Sequence, residues 1–468
     1  MSVAAGHALW SQPLLRRPLS FVTTTRFPTI FSTTMSTSTP VPHVPIPAKG
    51  VDYRGKVVLA PMVRSGELPS RLLALKYGAD LVWGPETVDR SMIGTEQKVN
   101  PRTGCLEWTR PSNNQAAQGM PVKESIIFRI DPKRESSQFI YQIGTSNPDT
   151  AVQAASLVAP YVRGIDVNAG CPKPFSTSGG MGAALLRTPD LLCSILTALV
   201  EKVGTPNEIG ISVKIRLLET PEATSALVNQ LCKTGITGLT IHCRTTPMRP
   251  RERAIREQLR MIGDICRNHG VACLMNGDVT SREEGLALAQ EYGIDGAMIA
   301  TAAEANSSVF RSKEDGGVAP WQDVVKEYIQ LAMSVENKCG NTKFLLSQLM
   351  PGRSPAYQGV QMARSYVEIL AVLDITDVEM ISKAKEADNI LGLDVPRVTK
   401  ADIKRQHKQQ EKENQQKHQA KQAKRALEAG NNQKRRASQE RSKKQKAEIA
   451  AGNAGFDGIG QGAMALAA

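Results

Sequence analysis

The segment Asp166-Val167-Asn168-Ala169-Gly170-Cys171-Pro172 sets a carboxamide and a thiol either side of a small-residue turn. A thiol with an ordinary pKa of about 8.5 stays largely protonated at neutral pH, so Cys171 can serve as a general acid with little tuning. Further along, Lys214 in Val213-Lys214-Ile215-Arg216 and His242 in Ile241-His242-Cys243-Arg244-Thr245 each lie near the end of a largely apolar run. A cation and an imidazole so placed could stabilise negative charge developing on a bound ring. Two more runs end in Asn276-Gly277-Asp278 and Ala300-Thr301, where small residues let backbone N–H groups approach a phosphate. Singly, each residue has a plainer reading. A Cys after Gly is commonly a small buried group, a strand-end Lys a solvated rim charge, and a His in an apolar run a satisfied core residue. What points to chemistry is that all of them fall at equivalent places in a repeating pattern.

The pattern is eight short β-branched or apolar runs, at 57–62, 80–84, 139–144, 164–170, 211–216, 238–244, 272–278 and 296–301. Amphipathic stretches at 68–77, 148–159, 189–203, 221–234, 253–269 and 281–292 separate most of them. Asn147-Pro148, Thr188-Pro189, Thr220-Pro221 and Ser281 supply capping and first-turn signals. Eight strands alternating with helices over some 250 residues predict an α/β fold, a (β/α)8 TIM barrel, with a doubly wound sheet as the structural alternative. A barrel gathers its strand ends at one mouth. Pro61-Met62-Val63, Glu86, Gln142, Asn168 with Cys171, Lys214 with Arg216, His242 with Arg244, Asn276-Gly277-Asp278 and Ala300-Thr301 would converge there. The stretch between Asp89 and Lys123 breaks the period and reads as an insertion or irregular hairpin.

At 468 residues the chain exceeds a single core, which stops growing near about 250–300 residues. The expected organisation is a disordered segment at 1–45, a barrel at 46–319, a small all-α domain at 320–395 and a Lys/Arg-rich tail at 396–468, disordered or a lone helix. Residues 1–45 hold Arg16, Arg17 and Arg26 and no acid, a composition that suits a mitochondrial transit segment; Met35 could start a shorter chain without residues 1–34. The net charge of +13 is concentrated: residues 400–446 carry 16 Lys or Arg against 5 Asp or Glu, and the bulk of the chain is near neutral. That tail could attract RNA in a salt-dependent way, or serve nuclear import through Lys434-Arg435-Arg436. No run is long and apolar enough to span a bilayer, which argues against a membrane protein. Eight cysteines without a CxxC pair suit a reducing cytoplasmic or nuclear compartment and give a zinc site little support.

The segments Leu59-Ala60-Pro61-Met62-Val63-Arg64, Tyr141-Gln142-Ile143-Gly144, Asn168-Ala169-Gly170-Cys171-Pro172, Val213-Lys214-Ile215-Arg216, Ile241-His242-Cys243-Arg244-Thr245 and Asn276-Gly277-Asp278-Val279 together resemble the tRNA-dihydrouridine synthases, in that family's order. Residues 62–75 and Asn341-Thr342-Lys343 are similar to the eukaryotic dihydrouridine synthase 2 type, which acts on the D-loop uridine at position 20, here in a fungal-like form without a double-stranded-RNA-binding domain. The resemblance implies an FMN barrel, a helical domain that grips tRNA, and NADPH or NADH as reductant; separately, a monomer is favoured with the oligomeric state left open. It assigns Cys171 as the proton donor. Pro61, Met62, Val63, Gln142, Lys214, His242, Asn276, Gly277, Asp278, Ala300 and Thr301 would contact the cofactor. Asn168, Arg244, Arg251, Arg253, Arg256, Asn341, Thr342 and Lys343 would contact the substrate. One departure stands out. Ile299-Ala300-Thr301-Ala302 lacks the Arg that many relatives carry there, so backbone groups would hold the phosphate without that charged side chain. Competing readings are another FMN barrel reductase, a Schiff-base aldolase using Lys214, and a tRNA-binding protein without catalysis.

Overall fold

The computed structural model describes residues 45–111, 124–352, 354–394 and 400–453. The targeting reading of the N-terminal segment falls almost wholly outside them. Twelve strands are present among these residues. In chain order they are β1 (Lys56–Leu59), β2 (Val82–Trp83), β3 (Thr87–Val88), β4 (Glu96–Val99), β5 (Leu106–Pro111), β6 (Glu124–Ile130), β7 (Phe139–Gly144), β8 (Gly164–Ala169), β9 (Gly210–Arg216), β10 (Gly238–His242), β11 (Ala272–Asn276) and β12 (Gly296–Ile299).

Eight of these, β1, β2 and β7 to β12, pair in parallel. The extra pairing of β2 with β7 closes the sheet on itself, so the expected TIM barrel is the one observed and the doubly wound alternative falls away. β3 adds a short parallel ladder to the end of β7. The insertion after β3 is a three-stranded antiparallel sheet, β4-β5-β6. Its Trp108 and Phe128 are buried in the same apolar cluster as Phe139 and Tyr141. Both faces of the barrel strands are covered, which is why the runs are nearly continuously apolar rather than alternating. Outward residues such as Val167, Val213, Ile215, Ile241 and Met275 pack under the surrounding helices. Inward residues Val58, Trp83, Ile140, Leu274 and Met298 fill the lower barrel together with Tyr53. A Cβ on Gly238 would come within 2.7 Å of the Tyr53 ring, so that strand approaches the plug closely only because it starts with Gly.

Helices α1 (Leu68–Lys76), α2 (Pro148–Val158), α3 (Pro189–Leu199), α4 (Pro221–Cys232), α5 (Leu259–Asn268) and α6 (Arg282–Tyr292) follow the predicted stretches. Asn147, Thr220 and Ser281 each accept a backbone N–H in the first turn of their helix, whereas Thr188 makes no such bond. The stretch expected at 253–269 is shorter: α5 begins only at Leu259. Arg244 takes the carbonyls of Pro250 and Glu252, and the Asp278 carboxylate takes the Ala254 N–H, which holds this segment as a loop.

The chain forms two compact units. One contains the residues up to Val335 with Phe344–Pro351, and so includes the helix Trp321–Ser334, which lies beyond the sequence boundary at 319. The other contains Glu336–Lys343 and everything from Gly352 onward. In that second unit the helices Pro355–Met362 and Tyr366–Val372 are separated by a break at 363–365. Ser365 caps the latter at Glu368, while Lys343 Nζ holds the carbonyls of Gln361 and Ala363 at the break. The tail is a single helix, Lys400–Asn453. No helix among the described residues is long and apolar enough to cross a membrane.

Candidate active site

A cavity of about 350 Å³ opens at the C-terminal ends of the barrel strands. Register explains who meets there. Asn168 pairs with Lys214, Arg216 with His242 and His242 with Asn276 on neighbouring strands, so the inward alternation brings these side chains to the same end of the barrel. Pro61, Met62, Val63, Gln142, Asn168, Cys171, Lys214, His242, Asn276, Ala300 and Thr301 all line the cavity, as the strand-end argument requires.

The loop carrying Cys171 is tied down atom by atom. The Asn168 side-chain oxygen accepts the N–H groups of Gly170 and Cys171, each at 3.0 Å, and Arg216 Nε donates to the Gly170 carbonyl at 2.8 Å. Ala183 N donates to the Cys171 carbonyl from the other side. Burial pushes the Cys171 thiol upward, and the nearby Glu86 carboxylate adds to the rise against the opposing pull of Lys173 and Arg216. The thiol is therefore protonated at neutral pH, the state an acid needs.

Opposite it stand a cation and a neutral imidazole. Lys214 is pushed down to about 8, first by burial and then by Arg216, with Asp166 pulling the other way. Its ammonium has no hydrogen-bond or ion-pair partner among the described residues, so it is available to a ligand. Asp166 lies deeper, raised to about 6 by burial, and accepts hydrogen bonds from Gln142 Nε2 and Ser212 Oγ, each at 2.8 Å. His242 is lowered to about 2 by burial and by the cations Lys214, Arg216 and Arg244, and so is neutral. The Arg244 guanidinium lies 3.3 Å from His242 Nε2 and has no acceptor atoms, so Nε2 accepts and the ring proton sits on Nδ1.

The sequence profile described as dihydrouridine synthase matches residues 58–368, about two thirds of the chain. The chain belongs to the dihydrouridine synthase family. It is 47% identical over 330 residues to the tRNA-dihydrouridine(20) synthase of Schizosaccharomyces pombe, covering 69% of this chain and 66% of that protein. It is 46% identical over 330 residues to the tRNA-dihydrouridine(20) synthase of Saccharomyces cerevisiae, covering 69% of this chain and 84% of that one. It is 27% identical over 273 residues to the tRNA-dihydrouridine(20a/20b) synthase of Saccharomyces cerevisiae, covering 58% and 66%. The chain thus spans about two thirds of the length of the fission-yeast relative.

Within this dihydrouridine synthase barrel the remaining expected site residues stand elsewhere. Gly277 and Asp278 sit behind the cavity wall. Gly277 has a φ of 121°, and Asp278 pairs with Arg244 and accepts from Ala254 N. Arg244 is buried, its guanidinium committed to Asp278, Pro250 and Glu252. Arg256 donates to the carbonyls of Gly277 and Asp278, while Arg251 and Arg253 are exposed on the loop between. Asn341, Thr342 and Lys343 belong to the second unit. There Thr342 is buried against Tyr366 and Asn337, Lys343 is tied to Gln361 and Ala363, and Asn341 is half-buried. Glu86 and Arg216 line the cavity too, though neither had a role from sequence; their positions at strand ends were the available signal.

Proposed function

We propose that the protein reduces the C5=C6 bond of a uridine in tRNA to dihydrouridine, with Cys171 donating the proton to C5. The observation that carries this reading is a protonated thiol sharing one cavity with an unpaired ammonium and a neutral imidazole. A thiol suited to give a proton and a cation suited to an electron-rich ring are the two halves of a two-sided reduction.

The residues present fit FMN. The Lys214 ammonium, the His242 Nδ1–H and the Asn276 and Gln142 side chains give a polar wall in a cavity within the size range of ligand sites. Pro61, Met62 and Val63 supply an apolar side, and the backbone at Ala300 and Thr301 offers a phosphate place without the missing Arg. When bound, FMN supplies the hydride that C6 receives, with NADPH or NADH as the source of electrons. Lys214 and His242 hold the electron-rich edge of the ring, and Asn168 fixes the Cys171 loop so that Sγ faces the base. The base itself must leave the tRNA interior to enter the cavity. The 46–47% identity to two position-20 enzymes supports the D-loop uridine at position 20 as the target, with the second unit and the basic tail as tRNA contacts.

Purified protein should be yellow and, with NADPH, should form dihydrouridine in unmodified tRNA at position 20. Cys171→Ala should lower turnover by about 10²-fold or more while FMN stays bound. A colourless protein that takes up no flavin would overturn the reading. The lowered pKa of Lys214 also suits a Schiff-base aldolase; borohydride trapping of a carbonyl substrate on Lys214 would favour that chemistry instead.

A further inference from the structure

Proton donation leaves Cys171 as a thiolate, and each turnover requires that proton back. Glu86, from the segment between β2 and β3, lines the same cavity and is the carboxylate that faces the thiol. Its Oε1 accepts Ser176 Oγ at 2.9 Å, but its Oε2 is buried with no hydrogen-bond partner. A buried carboxylate oxygen left unpaired is costly, and such atoms call for an explanation. Room for this carboxylate is made at the end of β7, where Gly144 stands and any Cβ would collide with Oε1. Asn168 and Cys171 lie close enough to affect the Glu86 charge, although only the Ser176 bond satisfies strict hydrogen-bond geometry.

We propose that Glu86 is the positioning residue that keeps Cys171 protonated and returns its proton after each turnover. This rests on the reduction proposed above. In the resting pair the thiol holds the proton and Glu86 is ionised. After transfer to C5 two anions, Sγ⁻ and the Glu86 carboxylate, stand together in a half-buried pocket, and such a pair takes up one proton. A proton from water reaches the carboxylate, leaving hydroxide to the solvent, and then passes to Sγ. The thiol re-forms, the carboxylate is ionised again, and no oxidant or reductant is consumed. Burial raises the carboxyl of Glu86, which eases its brief protonation, and the Ser176 bond opposes that rise only in part. The cations facing the thiol are Lys173, Arg216 and, across the cavity, Lys214, and all three favour the thiolate. Glu86 therefore works against them.

The test uses full-length, flavin-loaded protein with Glu86→Gln, which keeps the shape and removes the charge, and Glu86→Asp as the acid-retaining control. Alkylation of Cys171 by iodoacetamide across pH reads the thiol directly, without turnover. Removing the neighbouring anion should shift the Glu86→Gln curve down by on the order of one pH unit, with Glu86→Asp in between. Rapid-mixing assays with pre-reduced enzyme should show one dihydrouridine per site at the wild-type rate, then steady-state turnover slowed about tenfold or more in Glu86→Gln. An alkylation curve in the wild-type place, or first and later turnovers falling by the same factor, would overturn the relay. Wild-type protein that makes no dihydrouridine would defeat the reduction and the relay with it; a shifted alkylation curve would in that case still show the coupling of the two residues.

Discussion

If the cavity holds FMN as proposed, Lys214 would tie cofactor affinity to pH through a single side chain. Burial lowers its pKa to about 8, so the ammonium is present below that value and lost above it. Binding an anionic or electron-rich group favours the charged form and raises the bound-state pKa. Affinity is therefore full at neutral pH and declines as pH rises through about 8. FMN titrations followed by flavin fluorescence should show this decline, and Lys214→Met should remove it while weakening binding about tenfold or more, the size of one charge-assisted hydrogen bond. Affinity independent of pH in the wild type would contradict the role. Cys171, Lys214, His242 and Asn168 were legible in the sequence because barrel topology turns eight strand ends into one place, whatever their spacing along the chain. The relay role of Glu86 was not legible. It depends on an oxygen left unpaired and on a missing Cβ at Gly144, 58 positions away, which no local pattern encodes. Arg244 shows the converse: its position matches a substrate contact, but three-dimensional packing engages its guanidinium with Asp278 and two carbonyls.

Among the elements, the loop after β8 carries the most consequence for chemistry. Gly182 has a φ of 58° and lies against Ser176 and the Cys171 loop, where a Cβ would collide with Ser176 Oγ and come within 2.6 Å of the Cys171 carbonyl. Gly182→Ala should thus displace both Ser176 and the Cys171 loop, since one obstacle is the Cys171 backbone carbonyl and the left-handed φ strains any side chain. We expect a fall in turnover of about 10²-fold, the order that a misplacement of 1 Å can cause, with flavin binding preserved; unchanged turnover would show that the loop's position is not critical. Helix α1 is anchored by Arg71, whose guanidinium is fully buried against Glu135 at 2.7 Å and also takes the carbonyls of Gly66 and Arg129. Removing one partner strands a buried charge, so Glu135→Gln should cost about 3–5 kcal/mol, read from urea unfolding. The eight barrel strands were legible to within three residues because they are apolar and short, while β3 to β6 were not among the expected runs. The loop at 250–258 was not, since its pattern continues into α5, whereas contacts from Arg244, Asp278 and the Cys243 carbonyl hold it as a loop.

The distribution of charge over the whole molecule separates chemistry from attraction. The catalytic reading lives in a near-neutral barrel, whereas residues 400–446 hold 16 basic against 5 acidic side chains. The helix Lys400–Asn453 that carries them would run about 80 Å, and its described side chains are all exposed. With no apolar face to bury, it has no packing of its own to gain; its backbone bonds and spaced pairs such as Glu413–Lys417 and Glu440–Lys444 must hold it, each pair worth about 0.2–0.5 kcal/mol. Gly430-Asn431-Asn432 in the middle opposes them by about 1 kcal/mol at the Gly alone. A polyphosphate surface gives such a cationic helix what it lacks, through release of condensed counterions on binding. Truncation after residue 399 should therefore leave the thermal midpoint of the barrel and its flavin affinity in place. It should weaken tRNA binding most at low ionic strength and make the plot of log affinity against log salt shallower, by roughly one unit for each phosphate that the tail neutralises. An unchanged slope would place the tail outside RNA recognition and leave its charge to a different use, of which nuclear import is the one its basic clusters would suit.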